Sequence, residues 1–237
     1  MMSLIEKIAE FLNCEYESFY HEKNPAIIMK RYVELISEGN RKGFTPLIIV
    51  PDEILLESFQ AADTREELFA DMNQINIQDL FHKMTENFGN AQEILNISPS
   101  DIEPFEITEK PAKIIGFLDV LTDKVLPEVM IAKIPTRNPW ELPLWIPMGG
   151  FNDCPAPEEQ AVIFKYWFET YGAVPACVTY DTWELFVSYP PETVEEALKT
   201  AKLQCIFDCD IVYQGCGTVA NLAKDLIHNP VWYFWWD

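Results

Sequence analysis

Val174-Pro175-Ala176-Cys177-Val178-Thr179-Tyr180-Asp181-Thr182-Trp183-Glu184-Leu185-Phe186-Val187-Ser188-Tyr189 reads as two strands, near 174–179 and 183–189, joined by a tight turn at Tyr180-Asp181-Thr182. In the second strand Trp183, Leu185, Val187 and Tyr189 share one face and Glu184 and Ser188 the other, the period-2 pattern of a sheet packed on a core. Upstream, a helix is expected from about Pro157 to Tyr171. Before it, Leu142–Met148 reads as a strand whose Pro143 and Pro147 place it at a sheet edge. Downstream, Thr193-Val194-Glu195-Glu196 is a capping box opening a helix striped by Val194, Ala197, Leu198, Ala201 and Cys205. A further helix is expected over about 218–228. The run Val231-Trp232-Tyr233-Phe234-Trp235-Trp236 is apolar on both faces, which predicts a central strand covered on both sides. The order is βαββαβ, and the fold class is α/β (α+β), a mixed sheet with helices packed on it.

The N-terminal region, 1–95, reads as helix-rich with one short strand. Leu4, Ile5, Ile8 and Leu12 make one face of a first helix, with no basic leader region or small-residue cleavage site, so no signal peptide is expected. Asn24-Pro25 starts a helix carrying Ile28, Tyr32, Leu35 and Ile36, with a stop expected at Gly39-Asn40. Phe44–Val50 reads as the buried strand, and Thr64-Arg65-Glu66-Glu67 as a capping box. A helix from about Gln78 to Phe88 is expected to end at Gly89-Asn90. The proline-bearing segment 96–111 is linker-like and would separate this region from a C-terminal α/β domain at 112–237, unless the two pack as one unit. Within that domain, Ile114–Leu118 and Val129–Ile134 read as further strands.

The 237 residues hold 38 acidic and 17 basic side chains, a net charge of −21. A polyanion lacks the clustered Lys and Arg that phosphate binding needs, so nucleic acid and anionic membrane surfaces are excluded as partners. No apolar run reaches the ~18 residues of a membrane span. The six cysteines are expected as free thiols in a cytoplasmic protein. The charge serves solubility, or it serves recognition of a basic protein.

Gly149-Gly150-Phe151-Asn152-Asp153-Cys154-Pro155, Tyr166-Trp167, Tyr171-Gly172-Ala173-Val174-Pro175, Asp208-Cys209-Asp210-Ile211-Val212-Tyr213-Gln214-Gly215 and Val231–Asp237 together resemble a bacterial family known as domain of unknown function 4253. The resemblance spans about 130–237. The family pattern near Asp208–Asp210 reads closer to Cys-Pro-Asp-Ile-Val, so the proline is missing here and the cysteine displaced. It implies no reaction.

The candidate site is the Gly149–Pro155 turn. Its glycines, Gly149 and Gly150, leave a strand for a helix and can present N–H groups to a ligand. Cys154 near the helix start is a candidate nucleophile and Asp153 a candidate orienting group. Structural roles compete: glycine for the tight turn, and Asn152 or Asp153 bonding free helix N–H groups. The matched segments add Asp210, Gln214, Trp236 and Asp237 as candidate binding residues, with Arg137 a possible partner for Asp237. His21, His82 and His228 lie outside every motif, so Cys–His catalysis is not expected. Cys205, Cys209 and Cys216 lack zinc-knuckle spacing, so neither metal nor cofactor is expected. Asp181, Glu184, Asp210 and Asp237 come from different elements and can converge, though no spacing singles out a catalytic pair. Two functions follow. One is a non-enzymatic acidic interaction module, inhibitor- or immunity-like, binding a basic partner. The alternative is a small-molecule enzyme using the turn with Cys154 or Asp153.

Overall fold

The computed structural model describes residues 2–89 and 91–237; Asn90, half of the stop expected after the 78–88 helix, lies outside them. Six strands form one mixed sheet in the order β1-β3-β2-β4-β5-β6. They are β1 Tyr16–Tyr20, β2 Thr45–Ile49, β3 Glu128–Ile134, β4 Ala173–Val178, β5 Thr182–Val187 and β6 Val231–Trp235. Only β2 and β4 run parallel; the other neighbours are antiparallel. Strands from both halves of the sequence therefore share one hydrogen-bonded sheet.

The helices are α1 Leu4–Leu12, α2 Pro25–Lys42, α3 Glu53–Ala61, α4 Arg65–Met72, α5 Ile77–Asn87, α6 Ala91–Asn96, α7 Leu142–Trp145, α8 Pro157–Tyr171, α9 Val194–Phe207 and α10 Val219–Leu226. Local chemistry places several of their ends. The Asn24 side chain accepts the Ala26 N–H at 3.0 Å with Pro25 at the first helical position. Thr64 and Glu67 form the reciprocal capping box of α4. Gly172, at φ 61°, ends α8 in the left-handed conformation.

The larger core lies on the sheet face of α8, α9 and α10. Trp167 at its centre stacks on Phe234 at 4.9 Å and meets Phe207 and Trp232 edge-on at 5.1 and 5.6 Å. On the opposite face α2 and the segment around Ile114–Leu118 cover Ile48, Val129, Ile131 and Cys177. The βαββαβ order of the C-terminal half holds, with β3 as its first strand.

Four expectations need correction. Leu142–Met148 is not an edge strand: Leu142–Trp145 is a short helix, because Pro143 sits at a first-turn position where its fixed φ and missing N–H cost nothing. Ile114–Leu118 forms a turn, with a lone bridge from Leu118 to Val125, since its amides at Ile115 and Gly116 are taken by Glu184. β6 is an edge strand rather than a central one. Trp232 and Phe234 are buried, while Tyr233 and Trp235 face outward, their polar tips tolerating solvent. Helix α2 runs through Gly39-Asn40 to Lys42 and stops at Gly43, φ 87°, because Gly39 lies against Phe44 inside the packing.

Candidate functional site

The Gly149–Pro155 turn is built by backbone geometry. Gly149, Gly150 and Asn152 all have positive φ, at 127°, 73° and 45°. Cys154 donates its N–H to Phe151 at 2.9 Å, and Gly150 donates to Cys154 at 3.2 Å, closing the loop. A Cβ at Gly149 would run into the Pro155 carbonyl and the Gln160 side chain, so no other residue fits there. Gln160 is fully buried and ties three parts of the fold together. Its Nε2 donates to the Met148 and Pro155 carbonyls at 2.6 and 2.8 Å, and its Oε1 accepts the Trp183 indole N–H at 2.8 Å. Sequence reasoning missed Gln160, whose partners lie on three separate segments.

Neither Asn152 nor Asp153 caps α8. Glu159 accepts the Ala156 N–H at 3.4 Å, and Pro157 occupies the first turn. Asn152 instead donates from Nδ2 to the main-chain oxygen of Asp237, and Asp237 donates its N–H to Asp210 at 3.0 Å. Gln214 donates to the other Asp210 oxygen at 2.9 Å. Asn152, Asp210, Gln214 and Asp237 are thus joined by hydrogen bonds, while the neighbouring Trp236 is buried against Phe207. Arg137 stays apart from Asp237. Its guanidinium lies against Gly43 and donates to the Asn40 carbonyl at 3.4 Å, where a cation complements the end of α2.

A groove of about 460 Å³ opens beside the turn, lined among others by Asn152, Asp153, Cys154, Cys209, Phe88 and Tyr213. Its chemistry does not suit the candidate nucleophile. The Cys154 thiol is 4% exposed and contacts Met148 Sδ at 3.8 Å; burial, with Asp208 nearby, pushes its pKa up. A low-pKa thiolate needs a cation or a helix N-terminus against it, whereas this thiol is sealed from solvent with the Asp208 carboxylate nearby. Lys83, the basic residue of the groove, is already paired with Glu159 at 2.9 Å. Among the described residues no histidine lines the groove. In native protein, iodoacetamide is expected to label Cys14, Cys209 and Cys216, each half-buried, ahead of buried Cys154, Cys177 and Cys205. Mass-resolved labelling at pH 8 checks this, and rapid native labelling of Cys154 would restore it as a nucleophile.

A second concavity, of about 720 Å³, lies at the C-terminal ends of the parallel strands β2 and β4, where open α/β sheets commonly bind ligands. Val50, Pro51 and Asp52 leave β2 into it; Thr179, Tyr180 and Asp181 leave β4. Tyr233 and Trp235 of β6, Glu128 and the segment from Ile115 to Pro127 complete the walls. Asp181 accepts from the Thr179 and Thr182 hydroxyls at 2.6 and 3.0 Å, and from the Trp235 indole at 3.1 Å. Asp52 accepts the Ile54 N–H as the cap of α3. Among the described residues the lining holds no lysine, arginine or histidine. Asp181, with burial and Asp52 and Asp237 also acting, raises the pKa of the Tyr180 hydroxyl.

Behind these sites two buried carboxyls, each 1% exposed, hold backbone amides. Glu184 accepts from Ile115 and Gly116 at 2.9 and 2.6 Å, and Asp208 from Asp210 and Trp235 at 3.0 and 2.8 Å. Burial pushes each up to about 7 against the opposing pull of those amides. Of the carboxylates expected to converge, Asp181, Asp210 and Asp237 share one end of the sheet, while Glu184 turns to the opposite face. Among the described residues no group of His, Cys, Asp and Glu is arranged to hold a metal ion, and no helix is long and apolar enough to cross a membrane.

Residues 130–237 match the model of the family described as Domain of unknown function (DUF4253), which places the turn, the Asp208–Gln214 segment and β6 inside the matched region. No curated protein and no solved structure matches the chain.

Proposed function

We propose that the protein is a non-enzymatic acidic interaction module of the cytoplasm that binds a basic protein, as an inhibitor or immunity-type protein does. The observation that carries this reading is the charge balance, 38 acids against 17 bases, with several of the cations already paired. Arg31 is engaged by Glu17, Glu34 and Glu38, Lys133 by Glu15 and Glu17, Lys83 by Glu159 and Lys110 by Asp225. With Lys42 held by Glu38 and Lys113 by Asp123, six of the 17 basic side chains are paired among the described residues, and 38 acids against 17 bases leave a net charge of −21 and a large negative field outside. Such a field accelerates encounter with a cationic partner and repels anionic ones.

Titration calorimetry with a lysine- and arginine-rich peptide, against a neutral peptide of equal length, tests the reading. Binding of the basic peptide alone, weakening at least about tenfold between 50 and 300 mM salt as screening shortens the Debye length, is expected. Equal binding of both peptides, or none at 50 mM, would overturn it.

The small-molecule enzyme reading keeps one supporting observation, the open groove beside the turn with Asp153 exposed on it. Its candidate nucleophile, Cys154, is sealed from the groove at 4% exposure.

A further inference from the structure

We propose that the crevice at the C-terminal ends of β2 and β4 receives an arginine side chain from the basic partner. This rests on the interaction reading above and names the site and the chemistry that reading leaves open. The crevice pairs aromatic walls with carboxylates. Tyr180 and Tyr233 are 38% and 44% exposed, and Trp235 is half-buried beside them. Asp52, Asp181 and Glu128 are its charged groups.

Asp181 is fixed by three neutral donors, Thr179, Thr182 and the Trp235 indole. They orient the carboxylate without neutralising it, and no salt bridge reaches Asp52, Asp181 or Glu128 among the described residues. The basic residues of the neighbouring loop are directed elsewhere: Lys113 pairs with Asp123 at 3.6 Å and Lys124 faces Asp119. The negative field is felt inside the crevice, where Asp181 and Asp52 raise the Tyr180 hydroxyl pKa.

A guanidinium suits this lining better than an ammonium. It is planar, so it can lie on an indole or phenol face while its edge donates in parallel to a carboxylate. It is also less strongly hydrated, which lowers the cost of entering a half-closed space. About 720 Å³ holds one such side chain with the backbone that carries it. The loop tip at the mouth leaves Val120 and Leu121 91% and 90% exposed, placing apolar surface where the aliphatic stem and neighbouring residues of a partner would pass.

The test uses the full chain, an arginine-containing decapeptide and its lysine and citrulline counterparts, read by calorimetry and by indole fluorescence. Asp181→Asn removes the fixed charge. Asp52→Asn removes the second charge while keeping an equally good helix cap, so the fold is spared. Glu106→Gln, in the extended segment after α6, makes the same change in net charge away from the crevice. The proposal expects the arginine peptide to bind most tightly and to shift the fluorescence. It expects each crevice variant to weaken binding about tenfold or more, and Glu106→Gln by less than about twofold. Equal small losses in all three variants would overturn the crevice while leaving the interaction reading intact. Absence of wild-type binding at low salt would overturn both. Lysine binding equal to arginine, or displacement of the peptide by millimolar calcium, would overturn the guanidinium assignment.

Discussion

Replacing Trp167 with alanine is expected to cost about 4 kcal/mol of unfolding free energy, the upper range for removing a buried aromatic. Trp167 is fully buried on α8 and lies where α8, α9 and β6 meet. Its ring stacks on Phe234 with planes 5° apart and meets Phe207 and Trp232 nearly perpendicular, the two arrangements that aromatic quadrupoles favour. Alanine would leave a cavity whose walls are themselves rigid rings on three elements, so collapse cannot fill it. Trp167→Phe keeps the stack and removes an indole N–H that has no hydrogen-bond partner, so its cost should stay near 1 kcal/mol. Urea unfolding measures both; an alanine variant losing less than about 1.5 kcal/mol would show that this cluster does not organise the core.

Stability is expected to fall as pH rises from about 4 to above 7, the reverse of a salt-bridge-stabilised protein. Glu184 and Asp208 are both pushed up to about 7 in the folded chain, chiefly by burial, and both return to ordinary carboxylate values near 4 on unfolding. A raised folded pKa means that the native state binds more protons across this window. The contribution is therefore fully present below the unfolded pKa and is lost as pH passes the folded one. At about 1.4 kcal/mol per unit, each group is worth on the order of 4 kcal/mol. Glu17 acts oppositely below that window: its hydrogen bond to Arg31 lowers its pKa, so its contribution disappears in strong acid. Urea midpoints should be higher at pH 5 than at pH 8, and Glu184→Gln should flatten roughly half of the difference. A midpoint that rises from pH 5 to 8 would contradict the burial assigned to both groups.

Where one short piece of sequence decides a feature, reading it succeeded. Asn24-Pro25, Thr64–Glu67, the Pro157–Tyr171 helix and the hairpin turning at Tyr180–Thr182 are set by caps, glycines and alternation within a few residues. Failures arose where the deciding partner is distant. Leu142–Met148 offers two prolines to either an edge strand or a helix start, and the packing of Leu142–Trp145 on α8 selects the helix. β6 has the composition of a central strand, and it lies at the edge because among the described residues no further strand pairs with its outer side. β1, with alternating burial over Tyr16–Tyr20, gave too short a pattern to be noticed. At the candidate site, the Gly149–Pro155 turn, its bond to Asp237 and the Asp237–Asp210 bond follow segments visible in the sequence. The acid–aromatic crevice does not, because Asp52, Asp181 and Trp235 are brought together only by the parallel pairing of β2 with β4 and the edge placement of β6.

Amide hydrogen exchange with and without a saturating arginine-rich peptide tests the central claim most directly, since it reports where a basic partner rests on the acidic surface. Protection is predicted at Val50–Glu53, Ile115–Glu128 and Thr179–Thr182, with residues 149–155 unchanged. Protection confined to the Gly149–Pro155 turn and its groove, or spread evenly over the surface, would contradict it.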